Sequence, residues 1–224
     1  IPYVRRITPR DGLTLHESDN RVELDRAAHA LEMAAAGRRV VVVSSGDPGV
    51  FAMASALFEA LEKGPNDWLA IDIRVLPGIT AMLAAAARLG APLGHDFCTI
   101  SLSDLLTPWD DIQRRVKAAG EGDFVIAFYN PVSRKRRTQL AWARDELLNH
   151  RPASTPVILA TNLGRDGEQV HVTTLGDLDP GAVDMLTVVL VGSSETRMVE
   201  RASGSGWVYT PRGYGDAAKA GEAW

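Results

Sequence analysis

A turn of glycine, aspartate and proline breaks an apolar segment near the N-terminus, where VVVVSS is followed by Gly-Asp-Pro-Gly at residues 46–49. Its glycines allow positive φ and a close approach of backbone to ligand, and Pro48 stiffens the turn. Neither G-x-x-x-x-G-K-[ST] nor G-x-G-x-x-G occurs in the chain, and Asp47 would repel a phosphate. The turn therefore suits a hydroxyl, ammonium or sulfonium group, with a plain strand-to-helix turn as an equal alternative.

Further candidate segments accompany the other predicted strands: PGIT at 77–80, SLSDLLTPW at 101–109, YNPVS at 129–133 and DMLT at 184–187. Ligands of open α/β sheets bind at the carboxyl ends of the strands, so we expect functional side chains here. The sequence around His95 and Cys98 offers no partner residues for metal binding or catalysis, so both are interpreted as structural. Met53, Met82 and Met185 are predicted mainly to fill the core, because methionine packs adaptably.

Composition is that of a globular protein: 224 residues, 46% apolar and 23% charged, with a net charge of -4. This net charge gives no overall basic footprint for nucleic acid, and no apolar run reaches the roughly 18 residues of a membrane span. The single cysteine excludes an internal disulfide and a multi-cysteine metal site, and it fits a reducing cytoplasm. No segment resembles a signal peptide, and we expect a piece upstream of Ile1 to be missing.

Helices and strands alternate in the first part of the chain, which predicts a buried parallel sheet. The predicted elements are a capped helix at 20–36, a strand at 39–44, a helix at 49–63, a strand at 71–75 and a helix at 79–89. The next part predicts a strand from Phe97, a helix at about 109–119, a strand at 123–128 and a helix that opens at YNPVS and runs to about 149.

The final third is rich in strands, with TPVILAT and EQVHVTT joined by NLGRDGE as a hairpin, followed by MLTVVLVG. The fold class is therefore α/β, with an N-terminal parallel sheet and a C-terminal mixed sheet. We place the first domain at 1–93 and the second at 94–214, and we expect residues 215–224 to form a mobile tail.

Taken together, SSGDPGVFAMA, LPGITAMLAAAARLGAPLGHDF, ISLSDLLTPW, FYNPVSRKRR and DMLTVVLVGSSETR resemble the tetrapyrrole (corrin/porphyrin) methylase family, from Tyr3 to about Tyr214. The resemblance implies two α/β domains with S-adenosylmethionine in the cleft between them, S-adenosylhomocysteine as product, and a cytoplasmic homodimer without nucleic-acid or membrane partners. Family members begin with a strand and a G-x-G-P-G-D loop, which this sequence lacks before its first predicted helix.

Cofactor contacts are carried over from the family motifs. The resemblance implies that the GDPG turn approaches the methionine part of the cofactor, and that the contacts are Gly46, Asp47, Val50, Phe51, Thr80, Ala81, Tyr129, Met185 and Thr187. No metal ligand is expected.

The most similar branch of the family methylates ring carbon 17 of precorrin-3B and contracts the macrocycle to precorrin-4 in cobalamin biosynthesis. Such a reaction requires proton transfers at the oxygen substituents of the ring. The resemblance makes Ser101, Ser103, Asp104 and Thr107 the candidate catalytic groups. An equal alternative is that Ser103 or Asp104 only organises its turn.

A basic run at residues 134–137 is the candidate binder of the substrate's many carboxylates, through Arg134, Arg136 and Arg137. A solvated helix face is the ordinary interpretation of such a run. Here the run is predicted in the first turn of a helix, where cations oppose the macrodipole, so a compensating anion is expected.

Other functions stay open at this stage. One is methylation of a cobalt-containing precursor in the anaerobic pathway. Another is an enzyme of the same fold that acts on a protein or RNA, which the weak overall charge disfavours for RNA. A third is a non-catalytic adenosine-binding module.

Overall fold

The computed structural model describes residues 11–17, 23–201 and 206–213. The chain divides into two compact units, Ile1–Thr80 and Ala81–Trp224. The predicted cap at Asn20 and the predicted tail at 215–224 lie outside the described residues. No helix in the described ranges is long and apolar enough to cross a membrane.

The first unit contains two α-helices, α1 (Glu23–Ala35) and α2 (Met53–Lys63), and a 3-10 helix at Asn66–Ala70. Both predicted helices are confirmed; α2 begins four residues later than predicted, and the predicted start of α1 at 20–22 lies outside the described residues. Residues spaced three or four apart turn one face of each helix inward. Together with Trp68 of the 3-10 helix, these residues form a core. The core consists of Ala27, Leu31, Met53, Ala56, Ala60 and Trp68.

The predicted strands at 39–44 and 71–75 are not formed, and the described residues of the first unit contain no strand. Segments 38–44 and 72–80 have no regular structure, so the predicted N-terminal parallel sheet is absent from the described residues. An extended segment becomes a strand only when a neighbour completes its hydrogen-bond ladder, and a parallel sheet is stable only with both faces covered. Here Val41 and Leu76 are 82% and 75% exposed.

The second unit is built on a five-stranded mixed sheet in the order β2-β3-β6-β4-β5. The strands are β2 (Phe97–Ser101), β3 (Val125–Tyr129), β4 (Pro156–Thr161), β5 (Gln169–Thr174) and β6 (Thr187–Val191). Strands β2 and β3 are parallel, and the other neighbouring pairs are antiparallel. The predicted mixed sheet and the β4–β5 hairpin are confirmed.

Helices cover both faces of this sheet: α3 (Ala81–Leu89), α4 (Trp109–Glu121) and α5 (Gln139–Leu147). Alternation along β3 directs Ile126 and Phe128 into the core with α4 and α5, and Ala127 into the core with α3. The segment VIAFY is therefore apolar on both faces, as expected of a strand inside a sheet. Its first four residues, 125–128, are buried.

A smaller sheet, in the order β1-β8-β7, lies in the same unit. Its strands are β1 (Gly90–Ala91), β7 (Arg197–Glu200) and β8 (Gly206–Tyr209), none of which was predicted. Val208 of β8 and Met82 of α3 share a core cluster. Because α3 packs in this way, it belongs to the second compact unit, which begins at Ala81.

Candidate functional site

Several polar residues of the second unit lie at one edge of the five-stranded sheet, where strands end or begin. The strand registers place Ser101 opposite Tyr129, and Thr161 opposite Thr187. Strands β2, β3 and β4 end at this edge and β6 begins there, so the loops around 101–107, 129–138 and 184–187 emerge from it. This is the edge where the topology of an α/β sheet places ligands.

The loops that follow β2 and β3 are linked by side-chain hydrogen bonds. The Asn130 amide donates to Ser101 Oγ at 3.1 Å, and the Arg136 guanidinium donates to Ser103 Oγ at 3.2 Å. Asp104 accepts from Gln139 Nε2 at 3.0 Å and lies 3.7 Å from Arg136 Nη1. The predicted catalytic residues Ser101, Ser103 and Asp104 are therefore brought together, and Thr107 lies half-buried in the same loop.

The basic run precedes its helix instead of opening it, because α5 begins at Gln139. The predicted helix start at YNPVS and the argument from the helix dipole were therefore wrong. Asn130 has φ of +50°, and Ser133 Oγ accepts a hydrogen bond from the Arg136 amide at 3.0 Å. These residues therefore form a closed loop in front of the helix. Arg134 and Arg137 are exposed, whereas Arg136 is buried.

Tyr129 connects the end of β3 to the first turn of α3, since its hydroxyl accepts from the Met82 amide at 2.9 Å. This contact satisfies one of the free amides at the start of that helix. Ala81, the first residue of α3, is partly buried against the same core. Tyr129 thus contacts the residue that follows Ala81, and both are predicted cofactor residues.

The DMLT segment is organised by Asp184, whose Oδ1 accepts from the Leu186 amide at 2.9 Å and from Thr187 Oγ1 at 2.7 Å. Thr187 also meets Thr161 Oγ1 at 2.7 Å and is buried. Met185 is 65% exposed, so its predicted role in the core is wrong and its side chain is available to a ligand. Met53 and Met82 are buried, as predicted.

In the first unit, Asp47 ties the GDPG turn to the PGIT turn. Its Oδ1 accepts from the Gly49 amide at 2.8 Å and its Oδ2 from the Gly78 amide at 3.0 Å. These amides, Gly78 first, hold the pKa of the Asp47 carboxyl below its usual value. A Cβ at Gly78 would lie 2.1 Å from the Gly46 carbonyl oxygen, so only glycine allows this approach.

The other predicted cofactor residues of this unit flank the two turns. Val50 donates its amide to the Asp47 carbonyl at 3.2 Å and is half-buried. Phe51 is 51% exposed and has φ of +50°, a conformation uncommon for a bulky residue. Thr80, two residues after Gly78, is buried.

Sequence reasoning missed Asn130, Gln139 and Asp184 as members of these networks. Asn130 carried a signal, since asparagine before proline is a turn residue that tolerates positive φ. Gln139 carried none, because its contact with Asp104 joins residues distant in the chain. Within the described ranges, no cluster of three or more His, Cys, Asp or Glu side chains could hold a metal ion.

Comparison with known proteins gives consistent results. The sequence profile of the tetrapyrrole (corrin/porphyrin) methylases matches residues 3–179. A precorrin-3B C(17)-methyltransferase from a Sinorhizobium species is 53% identical over 219 residues, which are 98% of this chain and 86% of that protein. A probable cobalt-factor III C(17)-methyltransferase from Salmonella typhimurium is 48% identical over 192 residues, which are 86% of this chain and 76% of that protein.

A crystal structure of the methyltransferase CobJ matches with a TM-score of 0.87 and 57% sequence identity, covering 94% of this chain and 85% of that one. The family match, the sequence identities and the structural match each cover most of this chain. The chain belongs to the tetrapyrrole (corrin/porphyrin) methylases.

Proposed function

We propose that this chain is an S-adenosylmethionine-dependent precorrin-3B C(17)-methyltransferase of cobalamin biosynthesis, which converts precorrin-3B to precorrin-4. The observation that carries the proposal is the identity with the Sinorhizobium enzyme over nearly the whole chain. The polar networks at the strand ends support it, because they offer hydroxyl, carboxylate and guanidinium groups on neighbouring loops.

The proposed cofactor residues are the predicted ones: Gly46, Asp47, Val50, Phe51 and Thr80 in the first unit, and Ala81, Tyr129, Met185 and Thr187 in the second. Their chemistry fits the cofactor. The Asp47 carboxylate suits an ammonium or sulfonium, and the exposed Phe51 offers an aromatic face to a ring or a cation. Asp47 already accepts from two amides, so its main contribution is to hold the turn in place.

When bound, S-adenosylmethionine would supply an electrophilic methyl group for ring carbon 17 and would leave as S-adenosylhomocysteine, so the protein would need no strong base at the sulfur. The chain's task is to align the reacting atoms and to exclude water. Ring contraction requires proton transfers at ring oxygens, and we assign these to Ser101, Ser103, Asp104 and Thr107.

Substrate carboxylates are assigned to the basic run, of which Arg134 and Arg137 are exposed. A guanidinium can bind a carboxylate through two parallel hydrogen bonds, which suits a macrocycle that carries many acidic side chains. We also propose a homodimer in the cytoplasm, with no nucleic-acid or membrane partner, as in the family expectation.

A second candidate substrate is the cobalt-containing precursor of the anaerobic pathway. The similarity to the Salmonella protein, which is named a probable cobalt-factor III C(17)-methyltransferase, favours it specifically. The chemistry at ring carbon 17 is the same for both, so the strand-end residues do not distinguish them.

The test uses the full-length protein with methyl-labelled S-adenosylmethionine and each tetrapyrrole in turn. We expect transfer of label to precorrin-3B, with an absorbance change of the macrocycle that requires the cofactor. Transfer only to the cobalt-containing ring would assign the second candidate. Cofactor binding without transfer to either ring would indicate a non-catalytic adenosine-binding module.

A further inference from the structure

Arg136 differs from its neighbours in the basic run. It is 8% exposed, whereas Arg134, Lys135 and Arg137 are exposed. Burial of a guanidinium is unfavourable unless its donors are satisfied. A cation kept for solvent or for a mobile ligand would not have to meet that cost. The position of Arg136 therefore indicates a role inside the protein.

Its contacts converge on the loops after β2 and β3. Nε donates to the Asn130 carbonyl at 3.0 Å and Nη1 donates to Ser103 Oγ at 3.2 Å. Nη1 also lies 3.7 Å from the Asp104 carboxylate, too far for a hydrogen bond but close enough for electrostatic attraction. One planar group thus holds both loops in a fixed relation.

The direction of these bonds matters for chemistry. Ser103 Oγ accepts from Arg136, and Ser101 Oγ accepts from the Asn130 amide group. A hydroxyl that accepts from a fixed donor keeps its own hydrogen available for another acceptor. Both serine hydroxyls therefore keep a hydrogen that can be donated to a ring oxygen of the substrate.

We propose that Arg136 is a positioning residue for the methyltransferase reaction, which orients Ser103 and Asp104 and does not itself bind the substrate. The inference rests on the proposed function and changes the expected role of Arg136 from a substrate ligand to a support for the reacting groups. Arg134 and Arg137 are left as the substrate-binding arginines.

The first experiment is Arg136→Lys in the full-length protein. Lysine keeps the charge, but one ammonium cannot reproduce the planar fork that reaches both Asn130 and Ser103. We expect kcat for precorrin-3B to fall at least about tenfold, while KM for the tetrapyrrole and Kd for S-adenosylmethionine stay within about twofold. A rise in KM with unchanged kcat would overturn the proposal and make Arg136 a substrate ligand.

Arg144→Lys is the matched control, because Arg144 donates Nη1 to the Leu178 carbonyl at 3.0 Å and belongs to no proposed site. We expect its kcat to stay within about twofold of the native value. An equal loss of kcat in both variants would mean a general effect of removing a partly buried arginine, and it would contradict the proposal.

A double-mutant cycle with Ser103→Ala tests whether Arg136 acts through Ser103. If it does, adding Arg136→Lys to Ser103→Ala lowers kcat by less than Arg136→Lys does alone. Fully additive losses would overturn this part of the inference.

Hydrogen exchange gives a readout that is independent of activity. In Arg136→Lys, amides at 101–107 should exchange faster, while those of β4 and of the GDPG turn stay unchanged. Unchanged exchange at 101–107 would reject positioning even if the native protein methylated neither tetrapyrrole. Conversely, the native protein could prove inactive while Arg136→Lys still exchanges faster than the native protein at 101–107. That result would retain the positioning role of Arg136 and reject only the proposed function.

Discussion

At the scale of single residues, one carboxylate organises two turns. Asp47 accepts from the Gly49 and Gly78 amides with its two oxygens, so the GDPG and PGIT turns are linked through one side chain. The Gly78 amide, and after it the Gly49 amide, lowers the pKa of the Asp47 carboxyl because both bonds favour the ionised form. Asp47 is thereby expected to affect the cofactor through the shape of the turn as well as through its charge.

Asp47→Asn tests this view. Asparagine has one acceptor oxygen, so its amide group must face either the Gly49 or the Gly78 N–H. We expect the Kd of S-adenosylmethionine to rise about tenfold, measured by calorimetric titration, since the variant loses the negative charge proposed to face the cofactor and one of the two bonds that fix the turn in its shape. Melting temperature should change little, because the turn is only half-buried. A large fall in melting temperature with an unchanged Kd would contradict the cofactor assignment.

The exposed arginines of the basic run give a second prediction at this scale. In Arg134→Ala with Arg137→Ala, precorrin-3B affinity should fall at least about tenfold, because charge-assisted hydrogen bonds contribute about 1.5 to 3 kcal/mol each. S-adenosylmethionine affinity should not change. Substrate binding of the native protein should also weaken as salt rises, by screening. Equal substrate affinity in the variant and the native protein would leave the carboxylate-binding residues unassigned.

At the scale of elements, an ion pair holds the β4–β5 hairpin against α3. Arg88 Nε donates to Glu168 Oε1 at 2.5 Å and Nη2 to Oε2 at 3.1 Å, while Oε2 also accepts from the Gly164 amide at 2.6 Å. These contacts lower the pKa of Glu168 to about 2 from an ordinary value of 4.5, with the Arg88 hydrogen bond as the largest cause. The hairpin loop and α3 are thus coupled through one carboxylate.

This coupling predicts a pH dependence of stability. The folded-state pKa of Glu168 lies below its unfolded value, so its contribution is complete above about pH 4.5 and is lost as pH falls toward about 2. Glu168→Gln should therefore melt at a lower temperature than the native protein at neutral pH, and this difference should shrink on acidification. Glu62→Gln, at an exposed position of α2, is the control. A difference independent of pH would contradict the ionic origin.

At the scale of the whole molecule, the two units differ in how the N–H and C=O groups of their backbones are paired. The second has a sheet with apolar clusters on both faces. In the first, the described residues show helices around one small core, and the apolar segments 39–44 and 71–76 form no ladder. Unpaired extended backbone and exposed valines and leucines are features of a region with low local stability.

Hydrogen exchange should reflect this contrast. Amides at 40–44 and 71–76 are expected to exchange much faster than those of β3 and β6, because only the latter are held in a buried ladder. Mass spectrometry of peptides from the native protein measures both sets together. Slow exchange at 40–44 would show that a further strand completes the ladder there, and it would restore the predicted N-terminal sheet.

Local patterns in the sequence determined the helices α1 to α4, the strands of the mixed sheet and the turns that we propose as binding sites. Apolar spacing, Pro-Gly pairs and strand-length runs are properties of neighbouring residues, so they can be recognised without coordinates. The motifs around GDPG, SLSDLLTPW and YNPVS also indicated the family, which the comparisons confirm.

Only the tertiary structure decided the partners. Three hydrogen bonds join residues that are distant in the chain: Arg136 to Ser103, Gln139 to Asp104, and Gly78 to Asp47. The strand order β2-β3-β6-β4-β5 and the pairing of β8 with β1 depend in the same way on long-range packing. Sequence patterns report which face of an element is apolar, but a hydrogen bond or a ladder exists only when the fold brings its two sides within reach.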